Sequence, residues 1–266
     1  MLSRILRTSI ACSVICILFA GCQQPQSEVK PVGLEEEQRE RSAEELLPIS
    51  KYHIGGKSVL KRPIVYQTLG SGPDVVLIMA SIHGNEPAGT PLVHTLAQYL
   101  KQNTHLLKGR TVVLVPVVNP DGLASHTRHN ARNIDLNRNF AAINRVNTAT
   151  YGSSGHSEPE SIFVDSLIKK YRPHRIVSIH QPLDCVDYDG PARELAEMMA
   201  RQCRLPLKKL GSRPGSLGAY AGETLGIPIV TFEMRRGDTG LSETQLWKLY
   251  GNAMLSAVTY GAALGK

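Results

Sequence analysis

Residues 75–87 read Val-Val-Leu-Ile-Met-Ala-Ser-Ile-His-Gly-Asn-Glu-Pro, an apolar run that leads directly into polar residues. The run at 75–80 predicts a strand buried on both faces, because apolar and polar side chains do not alternate within it. His83 and Glu86 follow this strand, three positions apart. An imidazole and a carboxylate at this spacing, where a strand gives way to a helix, can contact one metal ion. The stretch therefore indicates an α/β fold with a metal site at a strand end.

Apolar runs of the same kind recur along the chain, separated by amphipathic stretches. The predicted strands are Val75–Met79, Thr111–Val118, Arg175–Ile179 and Ile227–Phe232. The predicted helices are Glu86–Gln102, Glu158–Tyr171, Ala192–Cys203, Ser216–Leu225 and Ser242–Ala262. Strands that alternate with helices imply a mostly parallel, mixed central sheet with helices on both faces. We expect one domain of this α/β class over residues 51–266.

The first fifty residues have a different composition from the rest of the chain. Residues 1–21 predict a secretory signal peptide, because a basic start is followed by an apolar stretch and a small residue before Cys22. The segment Leu18–Cys22 resembles a bacterial lipobox, which implies a lipid on Cys22; a signal peptide without lipid, or an uncleaved anchor, is the alternative. Residues 22–50 predict a tether. We therefore expect an exported protein, periplasmic or at the cell surface, anchored to a membrane by lipid.

Charge and cysteine content exclude several other classes of protein. The formal net charge is +7, but no stretch interleaves basic with aromatic side chains, so we expect no nucleic-acid partner. No Cys-x-x-Cys pattern occurs, which argues against a cysteine-type zinc site. Downstream of Cys22 the sequence contains Cys185 and Cys203, which either form a disulfide in an oxidising compartment or remain free thiols.

Polar residues follow each of the four predicted strands. His83 follows the first strand, Asn-Pro-Asp-Gly at 119–122 follows the second, His180 follows the third and Glu233 ends the fourth. In open α/β sheets the ligand crevice lies outside the carboxyl ends of the strands. Because four separate strands deliver polar side chains to one edge, this edge is the predicted active site.

A polar segment between the second and third strands carries further candidates. Residues 128–140 contain three arginines and four asparagines, more than a solvated loop requires. Guanidinium and amide groups of this kind suit the recognition of a carboxylate or an oxyanion.

With these motifs in order, the chain resembles the M14 family of zinc carboxypeptidases. The resemblance rests on His-x-x-Glu at 83–86, Asn-Pro-Asp-Gly at 119–122, Asp-Leu-Asn-Arg-Asn-Phe at 135–140, and the two strand-end residues His180 and Glu233. The family implies a zinc carboxypeptidase-like α/β/α fold and a metallocarboxypeptidase activity.

One branch of the family is similar in finer detail. The stretches 180–185 and 214–218, and the short catalytic domain, resemble the murein peptide amidases. Members of this branch cut the bond between γ-D-glutamate and meso-diaminopimelate in cell-wall peptides. The resemblance therefore implies an exo-acting amidase whose partner is a cell-wall peptide; the oligomeric state is left open.

The resemblance also implies a role for each candidate in catalysis. His83, Glu86 and His180 are expected to ligate one Zn²⁺ per chain and to leave a position for water. Glu233 is expected to take the proton of that water and pass it to the leaving amine. Arg128 is expected to stabilise the oxyanion of the tetrahedral intermediate.

Other positions are expected to contact the substrate. Asn137 and Arg138 are expected to bind its terminal carboxylate, which restricts the enzyme to chain ends, and Arg132 is a rival for the role of Arg128. Larger family members carry a catalytic tyrosine between the third ligand and the base; Tyr188 and Tyr220 lie in that interval without a motif that assigns either. An acidic loop is also expected at Asp184, Asp187 and Asp189. This loop either contacts the extra ammonium of diaminopimelate or is simply solvated.

Two alternative functions use the same residues. A deacylase of the aspartoacylase and succinylglutamate desuccinylase type also carries His-Gly-Asn-Glu, as at 83–86 here, but the export signal and the motifs at 119–122 and 214–218 favour peptide hydrolysis. An inactive peptide-binding lipoprotein usually lacks a metal ligand or the base, whereas this sequence retains all four.

Overall fold

The computed structural model describes residues 52–261, which all belong to the predicted catalytic domain. The predicted signal peptide and the predicted tether lie outside the described residues. Within residues 52–261, no helix is both long and apolar enough to cross a membrane.

The described residues form a seven-stranded sheet in the order β1-β2-β4-β3-β5-β7-β6. The neighbouring pairs β4–β3, β3–β5 and β5–β7 are parallel, and the three outer pairs are antiparallel. The strands are β1 Tyr52–Lys57, β2 Pro63–Gly70, β3 Asp74–Ala80, β4 Arg110–Val115, β5 Arg175–His180, β6 Leu183–Asp189 and β7 Ile229–Arg235.

Helices and single helical turns connect these strands. The α-helices are α1 Gly89–Gln102, α2 Pro120–Ser125, α3 Pro159–Tyr171, α4 Arg193–Cys203 and α5 Glu243–Thr259. Shorter helical segments are the 3₁₀ turns Thr104–Leu107, Leu136–Arg138 and Arg236–Gly240, and the π-helical segment Ala219–Thr224.

The sheet has an apolar core on each face, as a strand without alternation requires. Val76, Ile78 and Ala80 of β3 pack into the core that contains α1, α4 and α5. Leu77 and Met79 point to the opposite face and pack into the core that contains α3. The α/β class with a mixed central sheet and helices on both faces is therefore confirmed.

The four predicted strands are present with shifted ends, but three strands were missed. β1 and β2 form an antiparallel edge, and five of the six residues of β1 are exposed, so β1 carries no apolar signal. β6 contains Asp184, Asp187 and Asp189, and the prediction of an acidic loop there is wrong. The pairing of β6 with β7 makes these aspartates strand residues, of which Asp187 and Asp189 are buried and Asp184 is exposed.

Two of the predicted helices differ in type or starting point. The first helix begins at Gly89 rather than at Glu86, so Glu86 lies in the turn that precedes it. The stretch predicted as a helix at 216–225 contains the π-helical segment Ala219–Thr224. The turn matters for function, because it leaves Glu86 free to face the neighbouring strand β5.

The sheet register brings the predicted polar residues to one edge. His180 is the last residue of β5 and its Cα is paired with that of Glu233 on β7. His83 lies three residues after the end of β3. Strand β3 is the neighbour of β5 on the side opposite β7. Three adjacent parallel strands therefore place His83, His180 and Glu233 side by side at their carboxyl ends.

Candidate active site

His83, Glu86 and His180 form a buried cluster at this edge, with their potential ligand atoms within 4.8 Å of one another. The Nδ1 atom of His83 lies 2.8 Å from Oε1 of Glu86. The Nδ1 atom of His180 lies 2.8 Å from Oε2 of the same carboxylate. Glu86 therefore lies between the two imidazole rings and contacts each through a different oxygen.

The opposite nitrogen of each ring has its own partner. Nε2 of His83 lies 3.1 Å from Oδ1 of Asp135, and Nε2 of His180 lies 3.0 Å from Oγ of Ser178. Partners of this kind fix the tautomer of a metal-binding histidine, because the ring donates its Nε2–H to an oxygen and keeps the Nδ1 lone pair for the ion. Both rings therefore direct Nδ1 towards Glu86.

The donor set fits a zinc ion. Two imidazole nitrogens and a carboxylate are the ligands of catalytic zinc sites that keep one position open. A lone pair on Nδ1 and a carboxylate oxygen 2.8 Å apart are both acceptors, so the arrangement requires a cation, either a proton or a metal ion, beside Glu86.

The electrostatics of the cluster show the same requirement. Burial by itself lowers the pKa of His83, but the hydrogen bonds with Asp135 and Glu86 outweigh burial and raise it. Burial by itself raises the pKa of Glu86, but the charges and hydrogen bonds of His180 and His83 outweigh it and hold the pKa well below its usual range. The anionic form of Glu86 is therefore strongly favoured.

The Asn-Pro-Asp-Gly motif holds the turn that carries the histidine. The side chain of Asn119 accepts a hydrogen bond from the Gly122 amide at the start of α2 and donates to the carbonyl groups of Ile82 and His129. The backbone of Gly84 packs against that of Gly122, and a Cβ atom on Gly84 would lie 1.9 Å from the Gly122 carbonyl carbon. Asn119 thus joins the His-x-x-Glu turn to the arginine-rich segment.

Arg128 lies beside the metal cluster, whereas its rival Arg132 does not. Arg128 donates from Nε to Asp135 Oδ2 at 3.0 Å and from Nη1 to Glu86 Oε1 at 3.4 Å. Arg132 instead forms an ion pair with Glu158 at 3.4 Å and is absent from the cavity lining. Of the two arginines, Arg128 is therefore the one that lies in the cavity beside the metal-ligand candidates.

Asn137 and Arg138 lie on the 3₁₀ turn that follows Asp135. Oδ1 of Asn137 accepts a hydrogen bond of 2.9 Å from the Leu217 amide, which ties this turn to the segment 214–218. Nη1 of Arg138 donates to the carbonyl oxygen of Asn137 at 2.5 Å, and its guanidinium carbon lies 6.0 Å from the ring centre of Tyr151.

All seven predicted site residues line a single cavity of about 590 Å³. The cavity is further lined by Tyr151 and by residues of β6, β7 and the segment 210–218. The seven are the metal-ligand candidates His83, Glu86 and His180, the base candidate Glu233, and the substrate-facing candidates Arg128, Asn137 and Arg138.

Sequence reasoning missed three residues that the geometry brings into the site. Asp135 lay inside a recognised motif but received no role, although it contacts both His83 and Arg128. Ser178 is two positions before His180 on the same strand, so strand periodicity placed it on the same face. Tyr151 lies in an irregular segment where no periodic signal is available.

The two tyrosines considered for a catalytic role do not line the cavity. Tyr220 is buried and donates a hydrogen bond of 2.6 Å to Asp165. The Lys209 amine lies 4.8 Å from the ring centre of Tyr188. Tyr151 is the tyrosine among the cavity-lining residues, and it comes from the segment before the third predicted ligand.

The two downstream cysteines are free and buried. Cys185 is paired with Glu233 in the β6–β7 ladder. Burial raises the pKa of the Cys185 thiol to about 11, and the neighbouring Glu233 charge adds to this, so the thiol stays protonated at neutral pH.

Comparison with known proteins identifies the family. The family model described as zinc carboxypeptidase matches residues 41–188. The chain belongs to the M14 zinc carboxypeptidase family. The family, the α/β fold and the hydrolase class predicted from the sequence are thereby confirmed. The family is one of zinc enzymes, and the cluster of His83, Glu86 and His180 could hold a metal ion.

Two curated relatives cover most of the chain. It is 34% identical to Murein peptide amidase A of Escherichia coli K12 over 214 residues, which are 73% of this chain and 85% of that protein. It is 32% identical to Murein peptide amidase A of Vibrio campbellii over 202 residues, which are 67% of this chain and 77% of that protein.

Two solved structures share the architecture. The crystal structure of murein-tripeptide amidase from Escherichia coli O157 superposes with a TM-score of 0.60 at 27% identity, covering 77% of this chain and 91% of that one. Bovine thrombin-activatable fibrinolysis inhibitor, in complex with tick carboxypeptidase inhibitor, has a TM-score of 0.68 at 19% identity, covering 87% of this chain and 97% of that one, and shows the fold alone.

The close approach of Gly84 to Gly122 leads to a stability prediction. Gly84→Ala places a methyl group against backbone atoms that cannot rotate away. We expect it to lower the free energy of unfolding by about 3 kcal/mol, as overpacking does in a tightly packed site. Urea unfolding followed by circular dichroism measures the change.

Gly237→Ala is the matched control, because a Cβ atom at Gly237 meets nothing within 4 Å. We expect its urea midpoint to stay close to that of the unaltered protein. Equal urea midpoints for Gly84→Ala and Gly237→Ala would contradict the view that the contact between Gly84 and Gly122 holds the turn that carries His83 and Glu86.

Proposed function

We propose that this chain is a zinc-dependent, exo-acting amidase that hydrolyses the bond between γ-D-glutamate and meso-diaminopimelate at the end of murein peptides. The observation that carries the proposal is one cavity lined by a His–Glu–His cluster, a buried glutamate and an Asn–Arg pair. The two relatives that bear the name Murein peptide amidase A support this choice of substrate.

In this proposal His83, Glu86 and His180 hold one zinc ion per chain. When bound, the ion supplies Lewis-acid polarisation of the scissile carbonyl and makes a water molecule nucleophilic at neutral pH. Asp135 and Ser178 orient the two rings, since the Asp135 carboxylate accepts the Nε2–H of His83 and the Ser178 hydroxyl lies within hydrogen-bond distance of Nε2 of His180.

Glu233 is the proposed general base and acid. Its side chain lines the cavity, and within residues 52–261 it accepts a hydrogen bond from the Leu183 amide to Oε2 at 3.3 Å. Oε1 accepts no such bond, so it is available to take the proton of the attacking water and to return it to the leaving nitrogen. Burial raises the pKa of Glu233, and the Glu86 charge adds to this, so uptake of the proton from the attacking water is favoured.

Arg128 is the proposed oxyanion donor. It points into the cavity while its Nε donates to Asp135, so its guanidinium is held in place before substrate binds. A preoriented donor of this kind stabilises the charge that develops on the carbonyl oxygen without reorganisation during the reaction.

Asn137 and Arg138 are the proposed binding site for the terminal carboxylate. A guanidinium and an amide form charge-assisted hydrogen bonds with a carboxylate, and an internal amide bond offers no such group. This pair therefore explains how the enzyme is restricted to the end of a peptide.

The alternatives are weaker on these grounds. A deacylase of the aspartoacylase type shares the His-Gly-Asn-Glu turn, but the chain matches murein peptide amidases over two thirds or more of its length and Carboxypeptidase D of Rattus norvegicus over 49%. An inactive binding protein does not require a buried base beside a complete ligand set. Hydrolysis of N-acyl amino acids without release of diaminopimelate would support the deacylase instead.

Glu233→Gln tests the proposed chemistry. We expect kcat for L-Ala-γ-D-Glu-meso-diaminopimelate to fall about 1,000-fold, because the amide cannot accept and return the proton. Free diaminopimelate is quantified by mass spectrometry, and bound zinc by elemental analysis. Retained zinc with lost turnover is the predicted result, whereas a turnover equal to that of the unaltered enzyme would contradict the role of Glu233.

A carboxamide substrate tests the carboxylate site. We expect the tripeptide amide to be cleaved at least about 30-fold less efficiently than the acid, since a charge pair is lost in a desolvated site. In Arg138→Gln the two substrates should be cleaved with similar kcat/KM. Arg132→Gln is the control, because Arg132 pairs with Glu158 outside the cavity, and it should keep the full preference for the acid.

We also propose that residues 1–21 direct export and that Cys22 carries the lipid that anchors the protein, with residues 22–50 as the tether. The order of basic, apolar and small residues before Cys22 supports this. Cys22→Ala should move the protein from the membrane fraction to the soluble fraction on immunoblots. An unchanged distribution would contradict lipid anchoring at Cys22.

A further inference from the structure

Two acidic side chains line the cavity at a distance from the metal cluster. Asp187 and Asp189 lie on β6, and both are more than nine-tenths buried. They are alternate residues of one strand, so they share a face, and that face contributes to the cavity wall together with Thr231 of β7.

The strand register gives the distance of these residues from the reacting centre. Cys185 is paired with Glu233, and Asp187, two residues further along, is paired with Thr231. A step of two residues along a strand covers roughly 7 Å. Measured along the strand direction, the Cα atom of Asp187 therefore lies about 7 Å from that of Glu233. Asp189 lies one further step away from it.

The two carboxylates differ in their partners. Oδ1 of Asp189 accepts hydrogen bonds from Lys209 Nζ at 3.2 Å and from Ser212 Oγ at 2.6 Å. Oδ1 of Asp187 accepts a hydrogen bond of 2.8 Å from the backbone amide of Leu210. Within residues 52–261, no side chain donates to Asp187 and no lysine or arginine forms an ion pair with it.

Asp187 is therefore a buried carboxylate that forms no ion pair within the described residues. Burial raises the pKa of Asp187 and the Asp189 charge adds to this, which together outweigh the Leu210 and Tyr188 amides and the Lys209 charge that lower it. A buried charge without an ion-pair partner is costly, and a cation that enters the cavity from solution reduces that cost. The geometry of the site thus favours a positively charged group on the substrate at this position.

The leaving residue has such a group at the matching distance. If its α-carboxylate binds at Asn137 and Arg138 and its amide nitrogen lies near Glu233, its side chain extends along the remaining cavity wall. In diaminopimelate five bonds separate the Cα atom from the distal nitrogen, a span of roughly 6 Å for bonds of about 1.5 Å in a zigzag chain. This span is close to the step from Glu233 to Asp187.

We propose that Asp187, supported by the field of Asp189, is a specificity-determining residue that binds the distal ammonium of the leaving residue. The inference rests on the proposed function, because it assigns the leaving residue to this part of the cavity. It predicts that an end residue without a distal ammonium is a poorer substrate than diaminopimelate.

Paired substrates test the inference. The first is L-Ala-γ-D-Glu-meso-diaminopimelate, and the second replaces the last residue by L-2-aminopimelate, which has the same chain and distal carboxylate but no distal ammonium. With the full-length zinc-loaded enzyme we expect kcat/KM to be at least about 30-fold higher for the first. In Asp187→Asn we expect the ratio to fall below about 3-fold through slower cleavage of the diaminopimelate peptide.

Asp187→Asn keeps an oxygen that can accept the Leu210 hydrogen bond, so it changes the charge with little change in shape. Asp184→Asn is the matched control, because Asp184 is on the same strand but is exposed and does not line the cavity. We expect Asp184→Asn to keep the full preference for diaminopimelate.

The outcomes separate the inference from the proposed function. An unaltered enzyme that cleaves both peptides with similar kcat/KM overturns the inference and leaves the amidase function intact, whether or not Asp187→Asn folds. A preference that survives unchanged in folded Asp187→Asn also overturns it. If the unaltered enzyme cleaves neither peptide, the proposed function fails and the inference fails with it.

Discussion

The structure of the site depends on one carboxylate between two imidazole rings. Glu86 presents one oxygen to Nδ1 of His83 and the other to Nδ1 of His180, each at 2.8 Å. Either a proton or a metal ion must lie between each Nδ1 atom and Glu86, because a ring nitrogen lone pair and a carboxylate oxygen are both acceptors. The fold must therefore bring the turn after β3, which carries His83 and Glu86, into contact with the end of β5, which carries His180.

The surrounding scaffold meets this requirement with parallel strands and backbone contacts. Adjacent strands β3, β5 and β7 bring their carboxyl ends together, which is where open α/β sheets bind ligands. Asn119 joins the metal-binding turn to the arginine-rich segment, and Asp135 contacts both His83 and Arg128. The segment proposed to recognise substrate is thus held by the same residues that contact the proposed metal ligands.

The sequence predicted those parts of the molecule in which one physical signal dominates. The central strands are buried on both faces, so they appear as uninterrupted apolar runs. β6 was missed because its cavity-facing residues are acidic, and Asp187 and Asp189 resemble a solvated loop until the pairing with β7 is seen. Arg128 and Arg132 lie four positions apart in one irregular segment, and only the tertiary fold shows which one lines the cavity.

We propose that His83, Glu86 and His180 bind one zinc ion through both Nδ1 atoms and the carboxylate. Anomalous diffraction at the zinc edge, on crystals of the zinc-loaded protein, measures this directly. We expect one strong peak within about 2.0–2.2 Å of the two Nδ1 atoms and a Glu86 oxygen. A peak bound through Nε2, a peak at other residues, or no peak in active protein would contradict it.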